Sequence, residues 1–222
     1  MNNQGVLFQE IVDFLKRLQQ NNNKQWMDAH RAEYHKLRDG FIAWLDFLNA
    51  ELAQIDGDYF NTPGKKAMNR INNNLMFHPN RPVYKDHFAA GLDQLSKQGD
   101  FYVELGIEEV FIGGGYWHPD AKTLKSIRQA IDYNGEQLKG ILGKSTFKKN
   151  FGGLIVGDSL TWAPKGYSQE HPHIDLLKRK SFAVACKLPL KEAFKADFNA
   201  RLIDLYKEML PFRRYLNQAV TV

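Results

Sequence analysis

The stretch FYVELGIEEVFIGGGYW, residues 101–117, indicates how the middle of this 222-residue chain folds. Side chains alternate between apolar and polar over residues 101–105, and a second strand-like run, Val110–Trp117, follows after a short break. Two such runs with a short break between them are typical of a β-hairpin. The glycines at 113–115 allow a close backbone approach or a tight strand-to-helix turn before the next element.

Helical periodicity dominates the chain before this hairpin. Apolar side chains recur every three or four residues over 6–19 and again over 24–54, with Gly40 as a weak point of the second run. The two runs predict amphipathic helices that form an antiparallel pair. The three asparagines between them, residues 21–23, can cap the second helix.

The chain after the hairpin mixes helices and strands. Pro119–Asp120 is typical of a helix start. Residues 154–162 and 181–188 are predicted to be further strands. Residues 193–218 are predicted to form a final helix that bends near Pro211.

Composition agrees with one folded domain. A chain of 222 residues can bury one substantial core, and 43% hydrophobic with 13% aromatic residues argues against disorder. We therefore predict a single α+β domain over residues 1–222, a mainly antiparallel sheet packed with helices and long helices at both ends.

Location and redox state also follow from simple features. No run of 18 apolar residues is present, and the amino terminus lacks the pattern of a signal peptide, so we expect a cytoplasmic protein with no membrane partner. The single cysteine, Cys186, excludes an internal disulfide. Its strand-like surroundings predict an inert core thiol.

The segment from Thr62 to Ala90 carries most of the net charge. Its cations are Lys65, Lys66, Arg70, Arg81 and Lys85. With Asp86 as the one acid, the segment carries +5 − 1 = +4, against +5 for the whole chain. Interleaved apolar residues would anchor the segment to a core while its donors face outward. Arginine offers a planar fork and lysine a point charge, both suited to carboxylate or phosphate.

Several short motifs carry a resemblance to a known family. RINNNLMF at 70–77 and NRPVYK at 80–85 resemble an uncharacterised bacterial family, domain of unknown function 2461. Its other motifs are matched in order by NNKQW at 22–26, GGGYWHP at 113–119, APKGY at 163–167, HP at 171–172 and KSF at 180–182. The resemblance implies a compact α+β fold and a candidate pocket. It implies no reaction, because the family has no established activity.

The chain departs from the family pattern inside the core motif. Asn73, Asn74 and Met76 stand where the family has its second arginine, an aspartate and its third arginine, and Arg81 stands where lysine is usual. A reaction that needs that aspartate as a general base could not run unchanged here, because an amide does not take a proton near neutral pH.

We predict that these motifs converge on one pocket for a small anionic or polar ligand, with residues 113–115 at its rim. The candidate ligand-binding residues are Arg70, Asn72, Asn74, Arg81, Tyr84, Lys85, Gly114, Arg128, Lys165, His171 and Lys180. The alternative for the charged residues is that they are solvated or hold loop carbonyls. No catalytic residue and no cofactor is assigned, and enzymatic activity stays open.

Other functions are weighed against this one. His171, His173 and Asp175 have metal-ligand side chains at alternate positions, but Pro172 indicates a loop, so no metal is predicted. A pI near 9.1 and the basic run at 178–180 are compatible with a nucleic-acid-associated protein. The modest net charge and the lack of a familiar motif make that the alternative. A protein-interaction module without catalysis is a third hypothesis.

Overall fold

The structure, a computed structural model, describes residues 3–95 and 99–220. It confirms the predicted α+β class, with helices at both ends and one antiparallel sheet of four strands in the order β1-β2-β3-β4. The strands are β1 His87–Leu92, β2 Asp100–Gly106, β3 Glu109–Tyr116 and β4 Phe182–Pro189. The helices are α1 Asn3–Gln20, α2 Lys24–Ala29, α3 Arg31–Ala53, α4 Gly64–Ala67, α5 Ala121–Gly143, α6 Ser145–Phe151, α7 Ile174–Leu177 and α8 Phe198–Val220, and a 3-10 helix spans Leu190–Phe194.

Backbone contacts divide the described chain into two compact units. The first unit comprises residues 3–93, 102–112 and 187–203. The second unit comprises residues 94–95, 99–101, 113–186 and 204–220. The single domain over residues 1–222 stays a prediction.

In the first unit, α1 packs on α3 through aromatic side chains, as the amphipathic patterns predict. The rings of Phe8 and Trp44 meet edge to face with centroids 4.8 Å apart. The indole of Trp44 also donates a hydrogen bond to Asn199 Oδ1 (2.9 Å). Gly40 does not interrupt α3, and a Cβ there would lie 2.8 Å from Leu7 Cδ1. It is a position where α1 and α3 approach closely.

The continuous helix predicted over 24–54 is wrong. The chain forms α2 and α3 with His30 between them, at φ −110° and ψ 16°. The His30 ring stacks on the Trp26 ring with centroids 3.9 Å apart, and its Nδ1 donates to the Trp26 carbonyl (2.8 Å). The Trp26 carbonyl, in the last turn of α2, therefore accepts hydrogen bonds from both the backbone N–H and the ring of His30, where the helix ends.

The hairpin predicted over residues 101–117 is confirmed as β2 and β3, which are neighbours in the sheet. The glycine triplet lies inside β3, so its assignment to a tight strand-to-helix turn is wrong. The predicted helix start is confirmed, because Asp120 caps α5 by accepting a hydrogen bond from the Thr123 N–H (2.8 Å). The predicted strand at 181–188 is confirmed as β4, and Cys186 is buried in it.

The strand predicted over 154–162 is wrong. This segment forms only isolated antiparallel bridges, Leu154↔Val184 and Ser159↔Arg179. Val156 between them is 93% exposed, so the segment lacks the alternating burial that makes a strand persist. The predicted final helix is α8, which begins at Phe198 and contains Pro211.

Candidate functional site

The charged segment folds back on itself in the first unit. After α4, residues 68–74 run antiparallel to residues 83–90, through the bridges Met68↔Ala90 and Asn72↔Tyr84. Residues 74–82 form the turn between the two arms, and are called the tip below. Ile71 and Tyr84 are buried, whereas Arg70 and Asn72 are not. The alternation therefore anchors the segment and leaves its donors outside, as the interleaving predicts.

Asn22 ties this segment to the amino-terminal helices. Its side-chain amide donates to the Tyr84 carbonyl (2.9 Å) and its Oδ1 accepts the Tyr84 N–H (2.8 Å). The Asn22 side chain therefore satisfies both backbone groups of Tyr84, as a neighbouring strand would. The next residue, Asn23, accepts a hydrogen bond from the Trp26 N–H and caps α2, which confirms the predicted cap.

Arg70, Arg81 and Lys85 form a cationic cluster on the folded segment. Lys85 Nζ donates to the Arg70 carbonyl (2.8 Å). The pKa of Lys85 is lowered, first by burial and then by the positive charge of Arg70, with a smaller effect of Arg81 and an opposing one from Glu104. Among the described residues, no carboxylate forms an ion pair with any of these three cations.

A groove of about 540 Å³ lies beside this cluster in the first unit. Its lining residues are Tyr34, Arg38, Asp39, Ile42, Lys65, Met68, Asn69 and Arg70. Arg38 is paired with Asp39 (Nη2 to Oδ1 2.7 Å), so the lining carries three cations and one acid, a charge of 3 − 1 = +2. Burial raises the pKa of Tyr34, which keeps its hydroxyl protonated. The groove is therefore a cationic recess with neutral donors.

The other candidates of the first unit do not line this groove. Arg81 lies in the tip, and Tyr84 is buried and held by Asn22. The side chains of Asn72 and Asn74 bond to no described residue. The groove therefore brings Arg70 together with Lys65 and Arg38, two residues that were not among the candidates.

In the second unit, Arg128 holds loop carbonyls. Its Nε donates to the Leu177 carbonyl (2.8 Å) and its Nη2 to the Arg179 carbonyl (3.2 Å). Burial lowers the pKa of this guanidinium, with a smaller opposing effect of Tyr167. These contacts match the structural alternative for the charged candidates.

His171 uses both ring nitrogens inside the second unit. Its Nδ1 accepts the His173 N–H (3.0 Å), which places the ring proton on Nε2. Nε2 lies 3.0 Å from Asp132 Oδ1 and donates to it. A histidine held in this way positions the turn before α7, and neither nitrogen is free to take a proton from a substrate.

Gly114, Lys165 and Lys180 have separate surroundings. A Cβ on Gly114 would lie 2.4 Å from Met209 Sδ, so the glycine admits a side chain of α8. Lys165 is exposed, and the Lys180 N–H donates to the Asp158 carbonyl (3.1 Å). The pocket predicted to unite all the motifs has members in both units and stays a prediction.

Comparison with known protein families identifies the family of this chain. The family model described as "Conserved hypothetical protein (DUF2461)" matches residues 10–215. The chain belongs to this family. Searches of curated proteins and of solved structures found no match.

The positions where this DUF2461 member departs from the family pattern lie at the turn of the segment. Asn73 Nδ2 donates to the Pro82 carbonyl (2.9 Å) and so closes the base of the tip. Asn74 accepts the backbone N–H of His78 at its own carbonyl (3.0 Å). Met76 is 85% exposed. The asparagines therefore shape the turn, and the methionine side chain is presented to solvent.

Arg213 is a buried cation that was not predicted from the sequence. It is only 1% exposed, its Nη2 donates to the Gly99 carbonyl (3.0 Å), and its guanidinium lies 5.8 Å from the Tyr206 ring centre. Burial raises the pKa of Asp100, and Arg213 partly opposes that effect. Apolar neighbours on α8 such as Phe212 and Leu216 were the one available signal that this face is buried.

Two further findings concern metals and membranes. In the described ranges, no group of three or more His, Cys, Asp or Glu side chains is placed to hold a metal ion. Across residues 3–95 and 99–220, no helix combines the length and the apolar character needed to cross a membrane.

Proposed function

We propose that this DUF2461 protein binds a small anionic or polar ligand in the groove of the first unit. Arg70 and Lys65 would contact the ligand directly, and Arg38 would border it. Lys85 would support the site indirectly, because its Nζ donates a hydrogen bond to the Arg70 carbonyl. The alternatives are a nucleic-acid-associated protein and an interaction module.

One observation carries the proposal: the guanidinium of Arg70 has no bonding partner in the described parts of the chain. It borders the cationic groove and stands beside Lys85. Clustered like charges repel one another, and an anion between them would relieve this repulsion. The planar fork of arginine suits a carboxylate or phosphate.

The chemistry of the groove favours binding over catalysis. Asp39 is the one carboxylate in the lining and is occupied by Arg38. Asn74, where the family has an aspartate, lacks a basic oxygen. A cytoplasmic location is part of the proposal, supported by the single buried thiol of Cys186, which suits a reducing compartment.

Replacing Arg70 tests the proposal. Arg70→Met keeps an apolar stem and removes the charge and every guanidinium donor. We expect inorganic phosphate to bind about ten- to a hundredfold more weakly, since a charge-assisted hydrogen bond contributes roughly 1.5–3 kcal/mol. The melting temperature without phosphate should change little. Thermal melts and calorimetry with millimolar phosphate measure both quantities.

Lys125→Met is the matched control, because Lys125 is an exposed lysine of α5 with no bonded partner among the described residues. It should leave phosphate binding unchanged. A large drop in melting temperature for Arg70→Met, with phosphate-induced stabilisation intact, would show that Arg70 is structural. Submicromolar binding of wild-type protein to DNA or RNA at physiological salt, with a steep salt dependence, would favour the nucleic-acid alternative instead.

A further inference from the structure

The tip of the charged segment exposes adjacent apolar side chains. Met76 is 85% exposed, Phe77 72% and Leu75 36%. Burial of large apolar side chains is the main source of stability, and these contribute little of it. Exposed apolar clusters rimmed by polar groups mark interaction surfaces.

Cations surround this apolar tip. Arg81 lies within the tip itself, and Arg70 and Lys85 lie at its base, where they act on each other electrostatically. Lys65 and Lys66 precede them on α4. The neighbouring acid, Asp86, is bonded to His87 Nδ1 (2.9 Å). The tip therefore joins exposed apolar groups to positive charges that have no ion-pair partner in the described residues.

We propose that the tip binds the surface of an anionic phospholipid membrane. Met76 and Phe77 would enter the boundary between headgroups and acyl chains, while Arg81 and Arg70 contact headgroup phosphates. Apolar burial and attraction to anionic lipid are the two contributions that hold proteins on such surfaces. The inference goes beyond the proposed function, with which it shares Arg70, by naming lipid phosphate as an anion for the cations of the tip.

Charge and side-chain type favour a membrane over two other occupants. A strand of nucleic acid is held by several flat aromatic platforms, whereas Phe77 is the one aromatic ring among the three exposed apolar side chains of the tip. A second copy of this chain would place the tip cations against cations of the same sign unless its acids faced them. A lipid surface accepts the Met76 and Phe77 side chains without a pocket of matching shape, and it presents many phosphates at once.

The expectation of no membrane partner rests on the lack of a long apolar run. A protein that lies on a membrane surface needs no such run, because its apolar groups penetrate only the interface. The exposure of Met76 and Phe77 is a property of the folded tip. Their spacing in the sequence is equally compatible with burial.

Vesicle co-sedimentation of the full chain tests the proposal. Wild-type protein should bind phosphatidylcholine vesicles that contain about one-third phosphatidylserine, and should bind pure phosphatidylcholine much less. Binding should weaken as salt rises. The double variant Met76→Ser/Phe77→Ser should partition about ten- to a hundredfold less. Arg81→Gln should lose about fivefold, the equivalent of about 1 kcal/mol.

Trp162→Ser is the matched control, because it removes an aromatic ring that is 75% exposed in the second unit. It should bind vesicles within about twofold of wild type, a small fraction of the loss predicted for the double variant. Melting curves should show the same stability for all three variants, since each changes an exposed side chain. A double variant that binds as well as wild type, or a Trp162→Ser that loses as much, overturns the proposal.

Soluble phosphate separates this inference from the proposed function. Phosphate that stabilises the protein while anionic vesicles fail to bind would overturn the membrane proposal and leave the groove in place. Vesicle binding through Met76 and Phe77 without any effect of phosphate would support the tip and remove the groove proposal. Binding to single-stranded DNA that is tighter than binding to anionic vesicles and depends on Met76 and Phe77 would also overturn the membrane proposal.

Discussion

Gly114 offers a sharp test of how the glycine triplet works. A Cβ at this position would lie 2.4 Å from Met209 Sδ, 2.8 Å from the Asp100 carbonyl oxygen and 3.2 Å from Arg213 Cδ. The methionine can rotate away, but the carbonyl belongs to the backbone of β2 and cannot move without disturbing the sheet. Gly114→Ala should therefore lower the free energy of unfolding by about 1–3 kcal/mol, as overpacking usually does.

For a chain of this size, that loss corresponds to a melting temperature lower by about 2–12 °C. Urea unfolding and thermal melts measure it. Gly140→Ala is the matched control, because Gly140 is an exposed position of α5 where an added Cβ would meet no atom within 4 Å. Alanine there should stabilise by about 0.5–1 kcal/mol through helix propensity. A Gly114→Ala that melts at or above wild type would refute the packing argument, and loss of phosphate binding at unchanged stability would make Gly114 a ligand contact.

Two further substitutions, one of them with a control variant, test contacts that lie outside the groove. Asn22→Ala removes both hydrogen bonds to the Tyr84 backbone and should lower the free energy of unfolding in urea by about 1–3 kcal/mol. The control is Asn74→Ala, because the Asn74 side chain bonds to no described residue, and it should change stability by under about 0.5 kcal/mol. Equal effects of the two substitutions would contradict the role of Asn22. Burial raises the pKa of Tyr215 to about 12 from 10.0. Between pH 10 and 12 the folded state therefore keeps the phenol proton while the unfolded state loses it. Stability falls as pH rises through this window. Tyr215→Phe removes the hydroxyl that donates to the Asn134 carbonyl (3.2 Å), so its stability should fall less than that of wild type between about pH 10 and 12. Identical pH profiles of the two proteins would contradict the assignment.

Local periodicity was enough to predict several of the longer elements of this protein, among them α1 and the hairpin of β2 and β3. Apolar residues such as Phe8 and Trp44 recur at helical spacing, and the helices that bury them are α1 and α3. Alternation over residues 101–105 predicted β2. The prediction of one helix over 24–54 failed at His30, whose backbone leaves helical geometry between α2 and α3. The strand prediction also failed at 154–162, where a β-like composition lacks burial.

Some features of the candidate site likewise follow from the sequence, and others only from the tertiary structure. The sequence alone determined the charge of the segment from Thr62 to Ala90 and the interleaving that anchors it, because both depend on neighbours along the chain. Only the tertiary structure decided which cations stand together, since Arg38 reaches the groove from α3 while Lys65 and Arg70 come from the segment itself. The Asn22 contact with Tyr84 spans 62 residues, and Arg213 is buried against the carbonyl of Gly99, 114 residues away. Such contacts depend on how distant elements pack, and periodicity within one element carries no information about its partner.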